Sequence, residues 1–335
     1  MNKESTGRWI TRGPRLHDER PRKGRFAVDY DFEDILSRAN QVLRPLEKEL
    51  TETACTPEHP MVIICYPPRC GSTLLSQLLV QTRAFNYVTN FQARFWDAPF
   101  VAGLIEKKLG MRRVPLPHEL KSEYGVTNAQ NEPHEFGFFW NKWLVFSGTT
   151  HRVDMALMPE LKSEALKRQV HALMSLYDQP FFIKSELVGL NVEYFSRLFE
   201  NVIFLVIQRD LLSVAQSIYH ARVQLYNDPK AYWSTRPSNE AHLQDLAPEE
   251  QIAMQIKGIY NDIYNGLRLT HARYVEVQYE DLCLHPKDEL AAVMNAIGEV
   301  PNGLKYLPEQ LHIETRKKVP RAVTQKLVRA LSAVQ

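Results

Sequence analysis

The segment Met61–Leu75, MVIICYPPRCGSTLL, constrains the fold more than any other part of the chain. Five apolar residues lead through Pro67-Pro68-Arg69-Cys70-Gly71 into a helical pattern that begins at Ser72-Thr73. Strand, tight turn and helix in that order open a βα unit. The turn aims successive backbone N–H groups at one point, where the helix dipole favours an anion. Gly71 permits close backbone approach, and the hydroxyls of Ser72 and Thr73 add two donors.

Three further apolar runs read as buried parallel strands: Phe181–Ile183, Val202–Ile207 and Tyr274–Val277. Helical patterns fall between them at Glu164–Tyr177, Val192–Phe199, Leu212–Val223 and Glu249–Leu269. Strands alternating with helices predict right-handed crossovers and a three-layer α/β fold, with a central, mostly parallel sheet covered on both faces. Ligands of such sheets collect at the carboxyl ends of strands, where the glycine turn falls. Residues 1–50 read as a basic arm followed by a helix, Phe32–Glu49, that packs outside the sheet. Residues 51–335 read as a single domain, with an insertion rich in aromatics and prolines at about 83–160 that supplies substrate contacts.

A net charge of +2 gives no reason to expect nucleic acid as a partner, although residues 1–26 carry eight Lys/Arg against three Asp/Glu. No apolar run approaches the ~18 residues of a membrane span, and no signal-type hydrophobic region follows the basic start. The expected location is the cytoplasm. Cys55, Cys65, Cys70 and Cys283 lack zinc spacing and are too few for a disulfide framework, which suits a reducing compartment.

The loop also excludes. A triphosphate-binding loop, G-x-x-x-x-G-K-[ST], would place its lysine where Ser72 stands, and Val202–Ile207 leads into Gln208-Arg209 and not into a magnesium-binding acid. A cysteine-dependent phosphatase would need arginine at position 71 or 76, where Gly71 and Ser76 stand. Cys70, at a helix start, is placed for some thiolate character and sensitivity to oxidation. Arg69 brings a fixed positive charge into the loop, which suits a nucleotide whose compact transferring anion is joined to one 5′-phosphate, with no metal needed.

A second anion site follows Val202–Ile207, where Arg209 leaves the strand end and Ser217 lies about two turns along the next helix. With this pair the sequence resembles the sulfotransferases. PPRCGSTLL is similar to their 5′-phosphosulfate loop, P-R-S-G-T-T-L-L, and IFLVIQRDLLSVAQSIY to their 3′-phosphate motif, a strand, R-D-P and a serine spaced as Ser217 is from Arg209. PFFIKSEL resembles the strand ending in K-[TS]-P, and RYVEVQYEDLCLHPKDEL resembles a late Y-E-D-L segment. The likeness spans residues 61–298, with Cys70 replacing the usual serine, and Leu211 and Glu186 each replacing a proline.

The resemblance implies a P-loop-NTPase-like sulfotransferase fold and in-line, metal-independent transfer of a sulfuryl group. The donor is 3′-phosphoadenosine 5′-phosphosulfate (PAPS) as co-substrate, and the acceptor is a hydroxyl of a small molecule or glycan. Arg69, Cys70, Gly71, Ser72, Thr73, Arg209 and Ser217 are then the donor-binding residues, with Arg69 also catalytic. Lys184 would bridge phosphate and sulfate oxygens. Related branches carry a glutamate past the loop, but Asn90 and Gln92 occupy that neighbourhood. The base is therefore sought in NEPHEFGFFWNKW, at His134 and Glu135, with His118 and Glu119 in reserve. Phe136, Phe139, Trp140 and Trp143 at helical spacing also fit simple core packing. Arg316, Lys317, Lys318 and Arg321 read as a solvated basic face, although the resemblance also implies late basic residues that close over the nucleotide, and Tyr232 and Trp233 border the acceptor, the adenine or the core. A non-catalytic nucleotide-binding protein on the same fold, or a kinase with an unusual loop, are the competing readings.

Overall fold

The computed structural model describes residues 29–54, 56–113, 120, 127, 129–313 and 319–334. The basic arm, Cys55, His118, Glu119, Arg316, Lys317 and Lys318 lie outside them.

Helix α1 (Tyr30–Thr51) precedes β1 (Met61–Cys65), which turns through the glycine loop into α2 (Ser72–Gln81). Then come β2 (Asn86–Tyr87), α3 (Asn90–Ala93), α4 (Pro99–Leu109), α5 (Gly137–Trp143) and α6 (Glu160–Met174). Strand β3 (Phe181–Lys184) leads into α7 (Glu186–Gly189) and α8 (Val192–Leu198), and β4 (Val202–Gln208) into α9 (Leu211–Tyr226) and α10 (Pro248–Thr270). The chain continues through β5 (Arg273–Gln278), α11 (Tyr279–Leu284), α12 (Pro286–Ala296) and α13 (Arg321–Val334). Local chemistry sets several of these ends. The Asp210 carboxylate caps α9 through Ser213 N–H, and α10 opens with Pro248 and two glutamates and stops at His271 in a left-handed conformation.

The five strands run parallel in the order β2-β3-β1-β4-β5. Alternation within each strand divides the core. Val62, Ile64, Phe182, Leu205 and Ile207 face α2, α9 and α12, while Met61, Ile63, Ile183, Phe204 and Val206 face α5, α6 and α8. Helix α10 contributes Ile252 and Ile256 to the first cluster and Ile259 and Ile263 to the second. This is the predicted arrangement, an α/β sheet with helices on both faces. The order reverses around β1, because the chain moves to one side after β1 and returns to the other after β3. A crevice at the carboxyl end of β1 follows from that reversal.

Two expectations change. The run Tyr274–Val277 is not a buried strand: β5 lies at the sheet edge with Val277 alone buried, so its apolar pattern reflects one covered face. The stretch at about 83–160 contributes β2, whose two residues carry no apolar run to mark them.

Helix α1 docks through buried polar groups. Asn40 Nδ2 donates to the Arg94 carbonyl (2.9 Å), and its Oδ1 accepts from the Asp97 N–H (2.7 Å). The Glu47 carboxylate, 2% exposed, accepts from the N–H groups of Phe100 (3.0 Å) and Val101 (2.9 Å) at the start of α4 and from Gln169 Nε2 (2.8 Å). Burial raises its pKa, and these hydrogen bonds oppose the rise. Glu47→Ala strands those donors and is expected to lower stability by about 2 kcal/mol, read by urea unfolding.

Candidate active site

The glycine loop is built from two left-handed residues, Arg69 (φ 71°) and Gly71 (φ 97°). A non-glycine residue held there is strained by about 1–3 kcal/mol, which the surroundings must offset. At Gly71 a side chain is excluded outright, since a Cβ would lie 2.3 Å from the Tyr279 ring. The resulting concavity of N–H groups opens onto the start of α2, where Ser72 and Thr73 are both buried.

The two predicted anion motifs meet. Arg69 Nε donates to Ser217 Oγ at 2.9 Å, and Arg209 Nη1 donates to the Arg69 carbonyl at 2.9 Å. The Arg209 guanidinium stacks on the Tyr279 ring at 3.9 Å, the same ring that packs on Gly71. Tyr279 is thus a shared floor that sequence reasoning did not single out, although it heads the YEDL segment. Cys70 belongs to the loop through its backbone only. Its thiol is wholly buried, 3.6 Å from Tyr260 Oη, and burial pushes it up to about 12, with the Tyr260 hydrogen bond and Arg209 opposing. This corrects the expected thiolate character, because desolvation outweighs the helix terminus. Iodoacetamide applied to the folded protein is expected to leave Cys70 unmodified by mass spectrometry, and to modify it once urea unfolds the chain.

Opposite the loop, β3 delivers Lys184 to the strand end, 2% exposed, with Nζ 2.9 Å from Glu135 Oε1. Glu135 reaches it because residues 130–134 are pinned by backbone hydrogen bonds to residues 88–91, between β2 and the first turn of α3. His134 N–H donates to the Val88 carbonyl (3.0 Å), Asn90 N–H to the Glu132 carbonyl (2.9 Å), and Gln77 Nε2 on α2 to Glu132 Oε1 (2.8 Å). Asn90 and Gln92, where related branches carry a glutamate, serve this scaffold: Asn90 Nδ2 donates to the Ala129 carbonyl, and Gln92 Oε1 accepts from the Thr89 N–H. His134 keeps exposed surface, and partial desolvation of its ring lowers its pKa, with Lys184 and Arg94 helping and Glu135 opposing. The direction also follows from geometry, because Phe136 N–H donates to Nδ1 (2.8 Å) and favours the neutral ring. Phe136, Phe139 and Trp140 pack in the core, and Phe138 stays half-exposed against Trp96.

Two groups at this corner went unpredicted. Glu186, read only as a replacement for proline, follows Lys184-Ser185 at the start of α7. Its Oε2 accepts from the hydroxyls of Ser234 and Thr235, and desolvation with the nearby Glu135 charge pushes its pKa up to about 7 while these hydroxyls and Lys184 oppose. Tyr66 Oη, sealed from solvent near Ser72, makes no hydrogen bond of good geometry among the described residues, and burial beside Glu135 and Glu186 raises its pKa far up. An acid immediately beyond a strand-end lysine was the available signal for Glu186. Trp233 is core, and Tyr232 lies under Arg222 and Arg236. Arg321 begins α13. Among the described residues no group of three or more His, Cys, Asp or Glu side chains could hold a metal ion.

The solved structure of sulfotransferase STF9 from Mycobacterium avium aligns with 90% of this chain and 75% of its own, at 16% identity and a TM-score of 0.52. STF1 from Mycobacterium tuberculosis H37Rv aligns with 88% of this chain and 81% of its own, at 11% identity and a TM-score of 0.48. No curated protein sequence matches. The profile of the sulfotransferase family matches residues 60–300, a span that holds the glycine loop, Lys184, Arg209 and Ser217. By that match, which covers well over half its length, the chain belongs to the sulfotransferase family of enzymes.

Proposed function

We propose that the protein transfers the sulfuryl group of PAPS to a hydroxyl of a small molecule or glycan, in line and without a metal. The observation that carries this reading is the joined pair of anion sites, with Arg69 Nε on Ser217 Oγ and Arg209 Nη1 on the Arg69 carbonyl. One nucleotide bearing a 5′-phosphosulfate and a 3′-phosphate suits both. The 5′ group meets the loop N–H groups, Ser72, Thr73 and Arg69, and the 3′-phosphate meets Arg209 and Ser217. Charge that develops on the departing phosphate falls to fixed cations, Arg69 and Lys184. Glu135 and His134 stand beside Lys184, where the acceptor oxygen would arrive, so proton removal belongs to this corner.

No helix among the described residues is long and apolar enough to cross a membrane. A cytoplasmic location is part of the proposed reading. Residues 51–335 serve as one catalytic domain, with α1 docked outside.

Calorimetric titration with 3′,5′-adenosine bisphosphate and with ATP tests the donor. Tight bisphosphate binding with weak ATP binding is expected, and the reverse preference would return the kinase reading. Binding of the bisphosphate without sulfate transfer to any hydroxyl acceptor would favour a non-catalytic nucleotide-binding protein.

A further inference from the structure

Glu186 is held from two sides. From one side Gly189 lets α7 press onto β1, since a Cβ there would lie 2.6 Å from the Ile64 carbonyl oxygen. From the other, the hydroxyls of Ser234 and Thr235 converge on Oε2, while Oε1 accepts no hydrogen bond from the described residues. These hydroxyls are themselves fixed. Gln255 Nε2 donates to the carbonyls of Trp233 and Thr235 (both 2.9 Å), and Gln255 Oε1 accepts from Arg222 Nη2 (3.0 Å). Arg222 is fully buried and also donates to Gln251 Oε1 (2.5 Å). Burying a guanidinium against neutral amides is costly, and here it holds the segment that positions one carboxylate. Glu186 faces Lys184 on β3, Glu135 ahead of α5, Tyr66 and Cys70 on the glycine loop, and Tyr232 beside the two hydroxyls.

We propose that Glu186 takes up the proton of the acceptor hydroxyl, with Ser234 and Thr235 as its positioning residues and Glu135 as the counter-ion of Lys184. The inference rests on the PAPS reading above. In the step, the acceptor O–H bond breaks and its proton passes to Glu186. The electron pair left on the acceptor oxygen forms the new O–S bond, and the bond from sulfur to the 5′-phosphate oxygen breaks, its electrons leaving on 3′,5′-adenosine bisphosphate. Burial beside Glu135 tunes Glu186 close to neutral pH, where a base is most effective.

The test is the pH profile of PAPS turnover with phenol and with water as acceptors, both of which keep their O–H proton near neutral pH. Glu186→Gln is expected to lower turnover by about 10²-fold and to erase the acidic limb, with bisphosphate affinity within about threefold of wild type. Glu186→Asp should restore part of the rate. The two hydroxyls favour the ionised carboxylate, so Ser234→Ala with Thr235→Val raises the pKa of Glu186 and moves the acidic limb to higher pH, keeping the alkaline plateau. A mere packing role would lower the rate at every pH without moving the limb. An unchanged profile in Glu186→Gln, with wild-type turnover present, overturns this assignment alone. If wild type binds no bisphosphate, the PAPS reading fails and this proposal with it. Should bisphosphate bind without turnover, the infrared difference between wild type and Glu186→Gln decides. A carboxyl titrating near neutrality, and higher in the double variant, supports the role. One titrating below about pH 5 overturns it.

Discussion

Lys184→Ala is expected to lower the turnover number with PAPS about 10³-fold, or about 4 kcal/mol of transition-state stabilisation, while bisphosphate binding changes less than about threefold. The asymmetry follows from position. Lys184 sits at the carboxyl end of β3 with Nζ on Glu135 Oε1, across the crevice from the glycine loop. Its charge is worth most when negative charge builds on the bridging oxygen between sulfur and phosphate, an atom the bisphosphate product has lost. In this site the ammonium is sealed from water, so its field acts at low dielectric. Stability should move little, because the Glu135 side chain is 40% exposed and water can take over its carboxylate. Steady-state turnover of PAPS, calorimetry with the bisphosphate and thermal unfolding check the three parts. Retention of more than about a tenth of wild-type turnover would remove Lys184 from the chemistry.

Arg209→Ala should weaken the bisphosphate by about 2–4 kcal/mol, roughly 30- to 1000-fold, the cost of removing one partner of a charged contact. The figure sits in the upper part of that range for a structural reason. Arg209 also donates to the Arg69 carbonyl, so its loss releases a strained left-handed residue in the neighbouring loop, and the stack on Tyr279 goes with it. Ser217→Ala removes only one hydroxyl and should cost about 1 kcal/mol. Calorimetry on the three proteins gives the comparison. Equal losses in Arg209→Ala and Ser217→Ala would mean that the guanidinium shapes the loop and does not touch the phosphate.

Much of the donor side was legible in the sequence because it is local. A strand, a glycine turn and a helix occupy fifteen consecutive residues, Met61–Leu75, and their geometry needs no distant partner. The separation of Arg209 from Ser217 is likewise set by one strand end and the first turns of one helix. The acceptor side was less legible. The sequence offers His134 and Glu135 as one pair, but backbone pairing with the segment after β2 turns Glu135 onto Lys184 and leaves His134 facing solvent with Nδ1 occupied. In the sequence Glu186 stands out only as a replacement for proline, because its partners Ser234 and Thr235 lie 48 and 49 residues away. The burial of Cys70 is equally hidden from local sequence, since its hydrogen-bond partner Tyr260 is 190 residues distant.

The amino-acid sequence alone therefore determined the class of sheet, the place of the anion loop and the spacing of the second anion site, because backbone periodicity and turn chemistry act over a few residues. Only the tertiary structure decided which acids surround Lys184 and that burial raises the pKa of Glu186 among them. Desolvation and charge coupling depend on side chains brought together across the sheet, and no local pattern in the chain carries that information.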